Sequence, residues 1–158
     1  MDYKQKYIKY KTKYLEQEGG RRKSKKKLHR NISINKNMNS IKSNYTENVS
    51  EPWFSLILLG LKTVEGRKNK GRFKEMKVGD IVEWTNDNFM PRSILTRITG
   101  KAEYPTFREY LETEGLDKCL PGIEKFGIEH GLSIYYKYYT KEDEKEFGVV
   151  AIRIEPIQ

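Results

Sequence analysis

The positive charge of this chain is gathered at one end. Residues 1–50 hold 14 Lys/Arg against 4 Asp/Glu, while residues 51–158 hold 17 against 18. Of the net charge of +9, the first segment therefore supplies +10 and the remainder −1. A segment so charged and so poor in large apolar side chains cannot bury enough surface to offset the entropy of ordering it. The core must come from the rest of the chain, and residues 45–158 are long enough to build one compact core.

Three units follow. Over residues 2–17 the spacing predicts an amphipathic helix, with Tyr3, Tyr7, Tyr10 and Tyr14 on one face and Lys4, Lys6, Lys9, Lys11 and Lys13 on the rest. Gly19 and Gly20 close it, giving a first unit of residues 1–20. It either docks on its own domain or presents residues 3–14 to a protein or phosphate-bearing partner. Residues 21–44 form a basic, low-complexity linker. Its opening "RRKSKKKLHR" has seven Lys/Arg in ten, among them Arg21, Arg22, Lys25, Lys26 and Lys27, a pattern suited to nucleic acid or nuclear import. The third unit is the domain, residues 45–158.

Cys119 is the only cysteine, so no disulfide forms within the chain. The longest apolar run, "WFSLILLGL", is too short to span a bilayer as a helix, and the N-terminus has no apolar signal region. The expectation is a monomeric, intracellular protein, cytoplasmic or nuclear, neither secreted nor membrane-spanning.

Within the domain, "NYTENVS" reads as an opening strand. Ser50 is placed to cap a short helix over "EPWFSLILLGL", with Glu51 and Pro52 in its first turn and Trp53, Ile57 and Leu58 on its buried face. "MKVGDIVEWT" reads as a turn into a strand that alternates Val82 and Trp84 with Glu83. "RSILTRITGKAEY" reads as a second strand. "TFREYLETEG" reads as a helix with Phe107, Tyr110 and Leu111 on one face. "DKCLPGIEKFGIEHG" is assigned to loops and short turns, "LSIYYKYYTKEDEKEF" to one helix, and "FGVVAIRIEP" to a central strand. Mixed but not alternating elements argue for α+β, with a curved, largely antiparallel barrel and peripheral helices.

Common catalytic signatures are missing. His29 and His130 are too few for a histidine metal site, no phosphate-binding glycine loop is present, and no cofactor is expected. Cys119 reads as a structural thiol. Chemistry concentrates instead in "GLKTVEGR", residues 60–67. In an extended segment Thr63, Glu65 and Arg67 share one face and Val64 takes the other. Lys62 and Arg67 both stand within reach of the Glu65 carboxylate, an arrangement that keeps it ionised. The following "RKNKGRFK" adds Lys68, Lys70, Arg72 and Lys74 around Phe73, a mixture suited to phosphate contacts and base stacking.

"GLKTVEGR" resembles the G-x-K-x-x-E-x-R signature of ASCH domains, which are similar in fold to RNA-binding PUA domains. The flanking order of "PWFSLILLG", "VGDIVEW" and "GVVAIRIE" fits as well, so the resemblance covers roughly residues 44–156. Separately, "YKQKYIKYKTKYLEQEGG" resembles N-terminal segments of proteins from large cytoplasmic DNA viruses. The ASCH resemblance implies a PUA-like curved β-barrel with a cleft bordered by Lys62, Glu65 and Arg67, and RNA or another nucleic acid as partner. The two tryptophans, Trp53 and Trp84, are read as core, with cleft wall as the alternative.

ASCH-type proteins also include hydrolases of N4-acetylcytidine, which use a lysine, a threonine three positions later and a distal glutamate. Lys62 matches the lysine, but Glu65 stands where the threonine would be; Thr63 and Glu129 are the substitutes this reading would need. A carboxylate does not form the same ester intermediate, although Glu65 is able to activate water with Lys62 stabilising the oxyanion. RNA binding is the leading expectation and the amidohydrolase the alternative. A protein-interaction adaptor acting through residues 3–14 stands third.

Overall fold

The computed structural model describes residues 41–88 and 90–157. The Tyr/Lys segment that was compared with viral N-termini, the basic decapeptide and most of the linker lie outside the described residues, so Arg21, Arg22, Lys25, Lys26 and Lys27 are not placed.

The elements in chain order are β1 (Tyr45–Asn48), α1 (Trp53–Leu58), β2 (Val64–Lys68), α2 (Arg72–Glu75), β3 (Ile81–Asn86) and β4 (Arg92–Tyr104). They are followed by α3 (Phe107–Glu114), α4 (Leu116–Cys119), a 3-10 turn (Glu124–Phe126), α5 (Gly127–Tyr135), α6 (Lys141–Phe147) and β5 (Val149–Pro156). One five-stranded sheet runs β1-β3-β4-β5-β2. Among the described residues only the β1–β3 pair is parallel. The sheet curls into a half-barrel carrying helices, which is the expected α+β, PUA-like architecture.

The curl has a local cause in β4. This 13-residue strand pairs with β3 through Arg92–Arg97 and with β5 through Thr96–Tyr104, and its register slips between Ile98 and Gly100. A bulge of this kind bends a strand and raises its twist, so one long strand turns from one partner to the next. Val82, Trp84, Ile98, Val150, Ile152 and Ile154 line the concave core with Phe54, Ile57 and Met76. Burying Trp84 requires a partner for its N–H, and Nε1 donates to Thr96 Oγ1 at 2.8 Å. β5 lies between β4 and β2 and buries Val149 through Ile152 without a break, as a strand covered on both faces does.

A second layer forms around α3, where Thr106 accepts from the Glu109 backbone N–H and caps the helix. Phe107, Tyr110 and Leu111 are buried there with Cys119, Leu120, Ile123 and Leu132.

Several local expectations are corrected. Ser50 does not cap α1: the helix starts at Trp53, and the Glu51 carboxylate instead accepts from the Ser55 backbone N–H and hydroxyl. Leu58 is exposed, and the buried stripe of α1 is Phe54, Ser55, Leu56 and Ile57. The six-residue helix is one turn and a half, so its inward face is set by the sheet rather than by a long apolar stripe. The segment after α3 is more helical than its Pro and Gly suggest, containing α4, the 3-10 turn and the start of α5. Conversely, "LSIYYKYYTKEDEKEF" is two helices, because Thr140 makes a reciprocal capping box with Asp143 and starts α6 afresh.

Candidate functional site

Two residues past the end of α1 stands Gly60, whose φ of 66° is costly for any residue with a Cβ. The reversal folds Lys62 back over the domain, with its backbone N–H donating to Leu56. Its side chain is 2% exposed. Nζ donates to Val64 O at 2.7 Å and to Cys119 O, and lies 3.0 Å from Glu65 Oε2. An ammonium has three N–H donors, and here each has an acceptor. Lys62 thus ties the start of β2 to the end of α4.

Glu65 points to the same side. Oε1 accepts from Arg67 Nε at 2.7 Å, while Oε2 faces Lys62. Burial alone would push its carboxyl up, but the flanking Lys62 and Arg67 outweigh that and hold it below the ordinary range. Arg67 reaches further, and Nη2 donates to Asn48 O at 2.9 Å. The Phe73 and Trp84 rings lie near its guanidinium, with centroids 5.0 and 5.7 Å away. Burial alone would favour a neutral guanidine, yet Glu65 raises its already high pKa, so the charge is held firmly.

The glycine between them has a separate reason. A Cβ on Gly66 would lie 2.6 Å from the Tyr110 ring, closer than carbon atoms pack. Tyr110 fills that space and its hydroxyl lies 3.1 Å from that of Tyr135, both buried. Burial raises both phenols well above their ordinary range, so they stay protonated. Phe107 stacks on Tyr135 at 4.6 Å and on Tyr139 at 5.2 Å, bracing the two rings from behind.

Together these groups form a cleft of about 340 Å³. Lys62, Glu65, Gly66 and Arg67 lie along it, with Trp53, Tyr135, Tyr138 and Tyr139 as aromatic walls and Asn48 and Ser50 also on its lining. The expected triad of Lys62, Glu65 and Arg67 is thus brought to one place. Trp84 proves to be core and Trp53 a wall. The tyrosine wall was not read from the sequence, although four tyrosines in "YYKYY" were a signal, since a helix there cannot bury them all.

The remaining candidates scatter. Lys68 pairs with Asp143 at 2.8 Å, Lys70 lies 4.2 Å over the Phe147 ring, and Arg72 Nε sits 3.0 Å from Glu47. Lys74 is exposed on α2. Thr63 and Glu129 do not line the cleft. The Thr63 backbone bonds to Lys118 and Ile154, and Glu129 is exposed on α5 and paired with Arg108. Cys119 is fully buried, and burial lifts its thiol to about 11. No cluster of His, Cys, Asp and Glu fit to hold a metal occurs among the described residues, and no helix there is long and apolar enough to cross a membrane.

Residues 48–158 match the family model of the ASCH domain. A crystal structure of the hypothetical protein PH0355 superposes with a TM-score of 0.64 at 35% identity, covering 72% of this chain and 98% of its own. The solution structure of protein PF0455 from Pyrococcus furiosus superposes at 0.59, also at 35% identity, covering 72% and 97%. No curated protein matches the chain. The family match begins at residue 48 and leaves the N-terminal segment aside.

Proposed function

The chain belongs to the ASCH-domain family, and from that premise we propose that it is an RNA-binding module whose cleft takes up a single unstacked base. The observation that carries this reading is the cleft itself. Four aromatic side chains stand around a charged floor of Glu65 and Arg67, in a space of about 340 Å³. Proteins that read RNA take splayed-out bases onto aromatic rings and bond their edges with polar side chains, and each stacked base contributes about 1–3 kcal/mol. Lys68, Lys70, Arg72 and Lys74 would meet the phosphates on either side, with Lys68 and Arg72 exchanging carboxylate partners for phosphate. The basic run at 21–30 would supply phosphate contacts of its own.

The amidohydrolase alternative needs a hydroxyl beside a lysine that can accept its proton. Every N–H of Lys62 already has an acceptor, and neither Thr63 nor Glu129 is on the cleft lining, so binding is the better-supported reading. The test is fluorescence anisotropy of a labelled single-stranded RNA with the full-length protein across a salt series. Affinity should fall steeply with salt, with a log–log slope of roughly −0.7 per phosphate contacted. Absence of binding at low salt would sink the proposal.

A further inference from the structure

The cleft floor has an imbalance between donors and acceptors. It carries two cations, Lys62 and Arg67, against the one carboxylate of Glu65, and each Glu65 oxygen already faces a cation. Lys62 is spent on its three acceptors. Arg67 is not. Nε serves Glu65, one Nη2 hydrogen serves Asn48 and another N–H bonds the Tyr139 hydroxyl, leaving the rest of its five N–H groups for a ligand. Arg67 is on the cleft lining, with the Phe73 and Trp84 rings 5.0 and 5.7 Å from its guanidinium carbon. The other polar groups of the lining, such as the hydroxyls of Ser50 and Tyr138, both donate and accept and impose no preference.

Resting on the RNA reading above, we propose that this cleft selects uncharged bases with a 4- or 6-keto group, uracil or guanine, by receiving that carbonyl oxygen on the remaining N–H groups of Arg67. A carbonyl in the base plane meets the in-plane N–H groups of arginine directly, as the O6 edge of guanine does elsewhere. Cytosine or adenine, turned the same way, presents an amino donor to a donor and leaves a buried N–H of Arg67 without a partner. A base carrying a positive charge adds a third cation to a poorly solvated floor. The walls remain indifferent, because every base has a face to stack. Discrimination therefore falls to Arg67.

Trp53 provides the readout, since it stands at the cleft while Trp84 is sealed in the core. Full-length protein is titrated with UMP, GMP, CMP, AMP and the cationic 7-methyl-GMP, with inorganic phosphate as a control, following tryptophan fluorescence. UMP and GMP should bind about tenfold more tightly than CMP and AMP, the scale of one hydrogen bond to a charged group, and 7-methyl-GMP should bind more weakly than GMP. Equal or tighter binding of CMP, AMP or 7-methyl-GMP overturns the inference. So does displacement by phosphate alone to the same extent. If none of the mononucleotides binds while the RNA oligonucleotide does, the cleft is not the reading site and this inference falls alone. If neither binds, the RNA reading falls with it.

Discussion

Arg67 on β2 donates a hydrogen bond to the carbonyl oxygen of Asn48 at the end of β1, at 2.9 Å. These two strands are the opposite ends of the sheet order and share no ladder. The half-barrel is therefore bridged at this point by a side chain rather than by backbone pairing, and the cleft lies along that seam. One residue holds the fold and lines the cleft, which gives its substitution two consequences.

Replacing Arg67 with alanine strands Glu65 with one cation and removes the bridge to Asn48. Breaking one side of a buried ion pair costs about 3–5 kcal/mol. Urea unfolding should show a loss of that order, whereas an unchanged midpoint would contradict the bridging role. Arg67→Lys should recover only part of it, because one ammonium does not serve Glu65 and Asn48 with the fixed fork of a guanidinium.

Gly66→Ala should destabilise by about 1–3 kcal/mol, the usual cost of forcing extra volume into a packed interior. The added methyl would meet the Tyr110 ring at 2.6 Å. Combining it with Tyr110→Leu, which clears the ring, should recover much of the loss. Simple additivity in the double variant would show that the ring is not the cause.

The folded protein holds the Glu65 carboxyl below its ordinary value of 4.5 because Lys62 and Arg67 favour its charged form. Its contribution to stability is thus full above pH 4.5 and is lost as pH falls through the lowered folded value. Thermal unfolding of the wild type should decline over that acid window. In Glu65→Gln the curve should start lower near neutrality and decline less. Parallel curves for the two proteins would assign the acid sensitivity to other carboxylates.

Tyr138 is 63% exposed at the rim of the cleft, so Tyr138→Ala should leave the unfolding temperature nearly unchanged. Its effect belongs to the ligand. Losing one stacking platform of about 1–3 kcal/mol lowers RNA affinity by roughly 5- to 150-fold at fixed salt. Full affinity in this variant would remove Tyr138 from the binding surface.

Much of this protein follows from local pattern. The alternation through Val82 and Trp84 and the apolar run of β5 were legible, because burial on a sheet face imposes its period directly on the residues. So was the grouping of Lys62, Glu65 and Arg67, since short spacing confines the partners of a carboxylate. Tertiary structure decided the rest. Only the fold makes Lys62 a clamp on α4, because its acceptor at Cys119 is 57 positions away. Only the fold explains Gly66, which is small because Tyr110 arrives from another layer. Tyr135 and Tyr139 of "YYKYY" became part of a cleft wall braced by Phe107, which no periodicity in that segment contains. Sequence determines what a residue can do, by its chemistry and its neighbours along the chain. Which of those capacities is spent on the fold, and which is left for a ligand, depends on groups that only packing brings near.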